Sequence, residues 1–144
     1  MADPFSIAVS VLTIASTVTG VSTKLYNLHE EVAETKNDIS NLAETVSTTG
    51  DMLKRIGQMM KRHHRSICRK TSNDVKVASE RCARVVKELE TIVERLRGSP
   101  AIRFKWMFEK SKAKQMQIDL DRCKMDLNMV LQHLSLEHCL RRSR

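Results

Sequence analysis

The chain has 144 residues, enough for one domain with a substantial core and too few for two. Apolar residues make up 41% and charged residues 29%, but only four glycines and two prolines interrupt the chain, which favours a few long helices. The net charge of +8 is uneven, with four Lys/Arg against seven Asp/Glu in residues 1–60 and twenty-one against ten in residues 61–144, so an anionic partner is expected for the later part.

The first predicted helix opens with Asp3, suited to cap free backbone N–H groups, and Pro4, suited to a first position that needs no donor; it runs to about Leu28. Its twenty residues from Pro4 to Thr23 carry no charge. At 100° per residue Ser6, Ser10, Thr13, Thr17 and Gly20 share one narrow face, while Phe5, Ile7, Val11, Leu12, Ile14, Val18 and Val21 spread over most of the rest. The stretch is long enough to cross about 30 Å of hydrocarbon. Its eight Phe/Ile/Leu/Val side chains supply only about 2.5–5 kcal/mol, against eight Ser/Thr plus Gly and Pro. Solitary insertion is therefore marginal. Two arrangements suit such a helix: the core of a soluble bundle, with hydroxyls bonded back one turn, or a membrane oligomer whose hydroxyl faces meet one another or line water. A secretory signal is disfavoured, because Asp3 stands where a positive region belongs and no small-residue cleavage site follows.

The second predicted helix places Val32, Ile39, Leu42, Val46, Thr49, Leu53, Ile56 and Met60 on one stripe and ends near Ser66. The third starts after the cap-rich "TSND" and repeats the 3,4 spacing at Val75, Ala78, Cys82, Val85, Leu89, Ile92 and Leu96, until Gly98 and Pro100 stop it. The fourth follows "RFKWMF" and carries Ala113, Met116, Leu120, Cys123, Leu127, Val130 and Leu134. None of these helices can bury its stripe alone, and the connections are short. The expected fold is all-α: an antiparallel up-down four-helix bundle with long helices, a single domain over 1–140 with a basic tail at 141–144.

That topology brings three distant segments to one end: the apolar Pro4 region, the run "KRHHRSICRK" and the tail "RRSR". Lys61, Arg62, Arg65, Arg69 and Lys70, with Arg141, Arg142 and Arg144, would surround the start of the first helix with positive charge. This is the pattern of a surface for anionic lipid, where each basic residue contributes about 1 kcal/mol; a solvated bundle end is the plainer reading.

No GxGxxG, P-loop, GxSxG or HExxH pattern is present, so no enzymatic activity or cofactor is expected. Cys68, Cys82, Cys123 and Cys139 form no CxxC pair, and reduced thiols are the default, with Cys82 and Cys123 in the core. His63, His64 and Cys68 lack a fourth ligand in a cationic setting, and no metal is expected. A basic run followed by heptads imitates a basic-region zipper, but "TSND" interrupts it and the aromatics offer no stacking platform, so nucleic acid is not the expected partner. Phe104, Trp106 and Phe108 are expected to plug the far end of the bundle, and Met52, Met59, Met60, Met116, Met125 and Met129 to fill gaps in it.

The opening "MADPFSIAVSVLTIASTVTGVSTKLYNL" and the later "RFKWMFEKSKAKQMQIDLDRCKMDLNMVLQHL" resemble the fungal N-terminal domain found at the front of STAND/NLR receptors, within the HeLo-like group. The resemblance covers nearly the whole chain. It implies a helical bundle similar to the membrane-permeabilising bundle of the mixed-lineage kinase-like pseudokinase, acting in programmed cell death in innate immunity or heterokaryon incompatibility. It further implies a cytoplasmic domain that relocates to the plasma membrane and self-associates on activation, with an NLR-type receptor as a further partner. On this resemblance Phe5, Ile7, Val9, Val11, Leu12, Ile14 and Val18 would insert into membrane, and the chain would be a receptor's signalling domain or a small stand-alone member. The competing expectation is a soluble helical adaptor that binds partner helices.

Overall fold

In a computed structural model, which describes residues 3–31 and 36–142, the chain forms four long helices and, among these residues, no strand. Helix α1 (Pro4–Glu31) is capped by Asp3, whose Oδ1 accepts the Ser6 N–H at 2.7 Å. Helix α2 (Lys36–His63) is followed by a 3-10 turn, His64–Ser66. Helix α3 (Arg69–Leu96) begins before "TSND" rather than after it. The cap is Cys68, with extended backbone and Sγ accepting the Thr71 N–H at 3.4 Å, while the Thr71 hydroxyl donates to Glu137 instead of serving its own helix. Gly98, at φ 69°, supplies the left-handed residue after the end of α3. Helix α4 (Ile102–Arg142) absorbs "RFKWMF" into its first turns and continues through Arg142, so the expected boundary after residue 140 falls inside a helix.

The four helices make an antiparallel up-down bundle. Around it α1 packs on α2 and α3, and α4 on α3 and α2, while the diagonal pairs meet at most marginally. Consecutive α2 and α3 are therefore diagonal, and their connection crosses one end of the bundle. Lys24 ties α1 to α3 through Glu90 at 3.4 Å and Glu94 at 2.9 Å; Gln117 donates to Thr45 Oγ1 between α4 and α2.

The α1–α2 contact is built from small residues at heptad spacing on both helices. Ala8 and Ser22 of α1 oppose Gly57 and Ala43 of α2 in antiparallel order, with Gly50 set against Val18 and Thr19 between them, and the Ser22 hydroxyl donates to the Ala43 carbonyl at 3.2 Å. The approach leaves no room for a side chain at Gly57, where a β-carbon would lie 2.7 Å from Leu12 Cγ and Cδ2. Gly20 is the opposite case, a mid-helix glycine with nothing within 4 Å of a β-carbon. Gly20→Ala should therefore stabilise the fold by about 0.5–1 kcal/mol in urea melts, through lost freedom of the unfolded chain alone.

The described members of the α2 stripe are buried from Ile39 to Met60, and the α4 stripe is buried from Ala113 to Leu134; Val32 lies outside the described residues. On α3, Val85 is half-buried, and Val86 and Val93 join the core. Cys82 and Cys123 are buried together, and the Cys82 thiol is pushed up by its hydrogen bond with Cys123 and by burial, which keeps it protonated and inert.

The end plug is a single residue. Trp106 is buried, but Phe104 and Phe108 face solvent, 67% and 77% exposed, and lean on each other with centroids 5.9 Å apart. The reason is their angular place, since Trp106 follows the core stripe whereas Phe104 and Phe108 lie one turn apart on the opposite side. Met125 and Met129 are exposed on that same outer side, unlike the buried Met60 and Met116 and the half-buried Met52 and Met59, so they fill no gap in the core.

Candidate functional site at the basic end of the bundle

The start of α1, the crossing between α2 and α3, and the last turns of α4 converge at one end. Phe5 meets the His64 ring edge-on, with centroids 5.3 Å apart, and His64 Nδ1 donates to the Lys61 carbonyl at 3.1 Å. The His63 and His138 rings lie 3.9 Å apart, centroid to centroid, joining α2 to α4. Cys68 Sγ donates to Glu137 at 3.0 Å, joining the start of α3 to the same turn of α4. These contacts place the start of α1, the run from Lys61 to Lys70 and the last turns of α4 beside one another.

Lys61 and Arg62 leave the end of α2, Arg65 leaves the 3-10 turn, and Arg69 and Lys70 open α3; all five side chains are exposed. The backbone of Arg141 and Arg142 belongs to the last turn of α4 at this end, whereas their side chains and the whole of Arg144 lie outside the described residues. Between α1 and α3 a cleft of about 820 Å³ opens here. Pro4, Ile7 and Ile67 give it an apolar side, and Arg69, Lys70 and Lys76 a cationic one. Asp3 also borders it; the Ser6 backbone and hydroxyl hold its carboxyl below the usual range, aided by the charge of His64. Ser72 lines the cleft from a buried position, its hydroxyl without a hydrogen-bond partner among the described residues. No acidic residue of α3 itself occupies its first turn; the carboxylate set against this positive helix end is Glu137 of α4, which accepts from Cys68 and Thr71.

Of the residues expected to insert into membrane, Phe5 and Val9 face outward, Leu12 and Ile14 are half-buried, and Ile7, Val11 and Val18 belong to the core. The hydroxyl face of Ser6, Ser10, Thr13 and Thr17 is exposed, so the outer side of α1 is polar but uncharged. Thr13 donates to the Val9 carbonyl at 3.1 Å and Thr17 to the Thr13 carbonyl at 3.2 Å, the one-turn pattern that satisfies hydroxyls without water. Pro4–Leu28 is the one helical stretch among the described residues long and apolar enough to cross a membrane, with mean hydropathy 1.7.

The described residues contain no group of three His, Cys, Asp or Glu side chains placed to hold a metal ion. Lys76 and the cleft between α1 and α3 escaped sequence reading, since neither follows from helix periodicity without the side-by-side placement of those two helices. No protein-family model, curated protein or solved structure matches the chain.

Proposed function

We propose that the chain is a non-catalytic helical signalling domain that targets anionic membranes with the basic end of its bundle. The observation that supports this most is the convergence at one bundle end of five exposed basic side chains, Arg69 and Lys70 among them lining a cleft with an apolar side, beside the exposed ring of Phe5. Positive charge draws the bundle end to lipid headgroups; Phe5 and Val9 then make the first apolar contacts. Ile7, Val11 and Val18 reach lipid only when the bundle opens. In this reading the domain is cytoplasmic until it relocates to the plasma membrane, as the HeLo-like resemblance implies.

The test is co-sedimentation with phosphatidylserine-containing vesicles and with neutral phosphatidylcholine vesicles. Arg69→Glu/Lys70→Glu should bind anionic vesicles at least about 30-fold more weakly, from about 1 kcal/mol for each basic residue removed. Glutamates in the first turn suit a helix start, so this variant keeps its fold, and lost binding reports on the surface alone. A folded wild type that sediments with neither vesicle type would overturn the proposal in favour of a soluble adaptor, and equal binding to both would overturn the role given to the basic end.

A further inference from the structure

Helix α4 is apolar on two opposite sides. Its inner stripe builds the core, and its outer side carries large apolar side chains from Phe104 to Leu140, each exposed, from 47% for Ile118 to 77% for Phe108. Along the helix they follow a 3,4 rhythm: Phe104, Phe108, Ile118, Met125, Met129 and Leu136 fall on one seam, broken by Ser111, Gln115, Arg122 and Gln132. The other three helices show no such second stripe, and among the described residues nothing covers this one.

The seam is too narrow for a bilayer and well shaped for a helix. It is about 100° wide, bounded by Lys105, Lys112 and Asp119 on one flank and by Lys114 and Asp121 on the other, the proportions of a coiled-coil seam. The six seam side chains, at roughly 150–200 Å² each when fully exposed and 47–77% exposed here, together offer on the order of 600–700 Å² of apolar surface, within the range that one partner brings to a standard interface. A lone soluble domain seldom exposes so much on one strip.

We infer that this face pairs with the same face of a second copy, α4 against α4, antiparallel about a two-fold axis near Arg122. Charge selects the direction. A parallel pair would set Lys105, Lys110, Lys112 and Lys114 against their own copies, whereas an antiparallel pair sets that basic stretch against residues 130–139, which carry no lysine or arginine, and so avoids the repulsion. The same register puts Phe104 opposite the second copy's Leu140 and Phe108 opposite its Leu136, and brings Arg122 near Asp119 of the other chain. An isologous pair of this kind closes on itself as a dimer.

The pairing requires no lipid, so its test stands apart from vesicle binding. Sedimentation of the wild-type chain over about 1–100 µM should show a monomer–dimer equilibrium. Met125→Glu/Met129→Glu should weaken it at least about 100-fold, since the variant sets carboxylates in an apolar seam. Both positions are solvent-facing, and an unchanged melting temperature marks the variant as folded. With Cys68→Ser and Cys139→Ser as background, Phe108→Cys and Leu136→Cys proteins should cross-link on oxidation when mixed and not when separate. A wild-type chain that stays monomeric throughout, or Phe108→Cys that cross-links efficiently to itself, overturns the assignment.

Discussion

Val11→Asp is expected to abolish cooperative folding, whereas Val9→Asp, two residues away on the same helix, is expected to leave the bundle intact. Val11 has no solvent exposure and sits where α1 meets the core; Val9 is 46% exposed. The first substitution forfeits about 1.5–3 kcal/mol of apolar burial and adds several more for a carboxylate with no partner. Their sum, about 5 kcal/mol or more, equals the whole stability of many domains. Circular dichroism of Val11→Asp should show lost helicity or a collapsed melting transition, and Val9→Asp should melt within a few degrees of wild type. A Val11→Asp protein that melts like wild type would mean that α1 is not part of the core. The pair also separates folding from membrane contact, because loss of vesicle binding in folded Val9→Asp reports on the outer face of α1 alone.

What the sequence made legible was periodic. Core stripes from Ile39 to Met60 and from Ala113 to Leu134 follow from 3,4 spacing, and the hydroxyl-to-carbonyl bonds of Thr13 and Thr17 follow from residue type. The bundle end was legible too, because direction alone brings residues 4, 61–70 and 141 to one side. Helix starts were less so. "TSND" reads as a cap by composition, but Thr71 and Ser72 are buried and a tertiary partner, Glu137, takes the Thr71 hydroxyl. Local preference lost there to packing.

The outer stripe of α4 was illegible for a related reason. A helix apolar on both sides has almost no net amphipathic direction, and the eye follows the stronger stripe and assigns the remaining Phe and Met to the interior. Which of two stripes faces inward depends on the neighbouring helices. The diagonal placement of α2 and α3 was likewise hidden, since up-down order fixes the direction of each helix but not the circuit around the bundle. That circuit is what sets α1 against α3 and opens the cleft beside Arg69 and Lys70.

Gly57→Leu is expected to cost about 3 kcal/mol or more, and Gly57→Ala about 1–2 kcal/mol, even though alanine is the better helix former. A β-carbon at this position falls 2.7 Å from Leu12 Cγ and Cδ2 and 3.4 Å from the Ala8 carbonyl, so Leu12 must move or the helices must part. Overpacking of this kind costs about 1–3 kcal/mol, and the gain in helix propensity returns up to about 1 kcal/mol. The cause can be isolated by a double-mutant cycle in urea: Leu12→Ala makes room, and Gly57→Leu combined with it should recover at least about 1 kcal/mol relative to the sum of the single changes. Strict additivity would mean that the two residues do not oppose each other and that the seam is looser than the Leu12–Gly57 approach makes it. The same variants distinguish how the domain opens at a membrane. A first helix that leaves alone must part from this seam, and Gly57→Ala would release it more readily, raising leakage from anionic vesicles. A hairpin of α1 and α2 that moves as one body keeps the seam closed, parts instead along the α1–α3 and α2–α4 contacts, and gains nothing from the substitution.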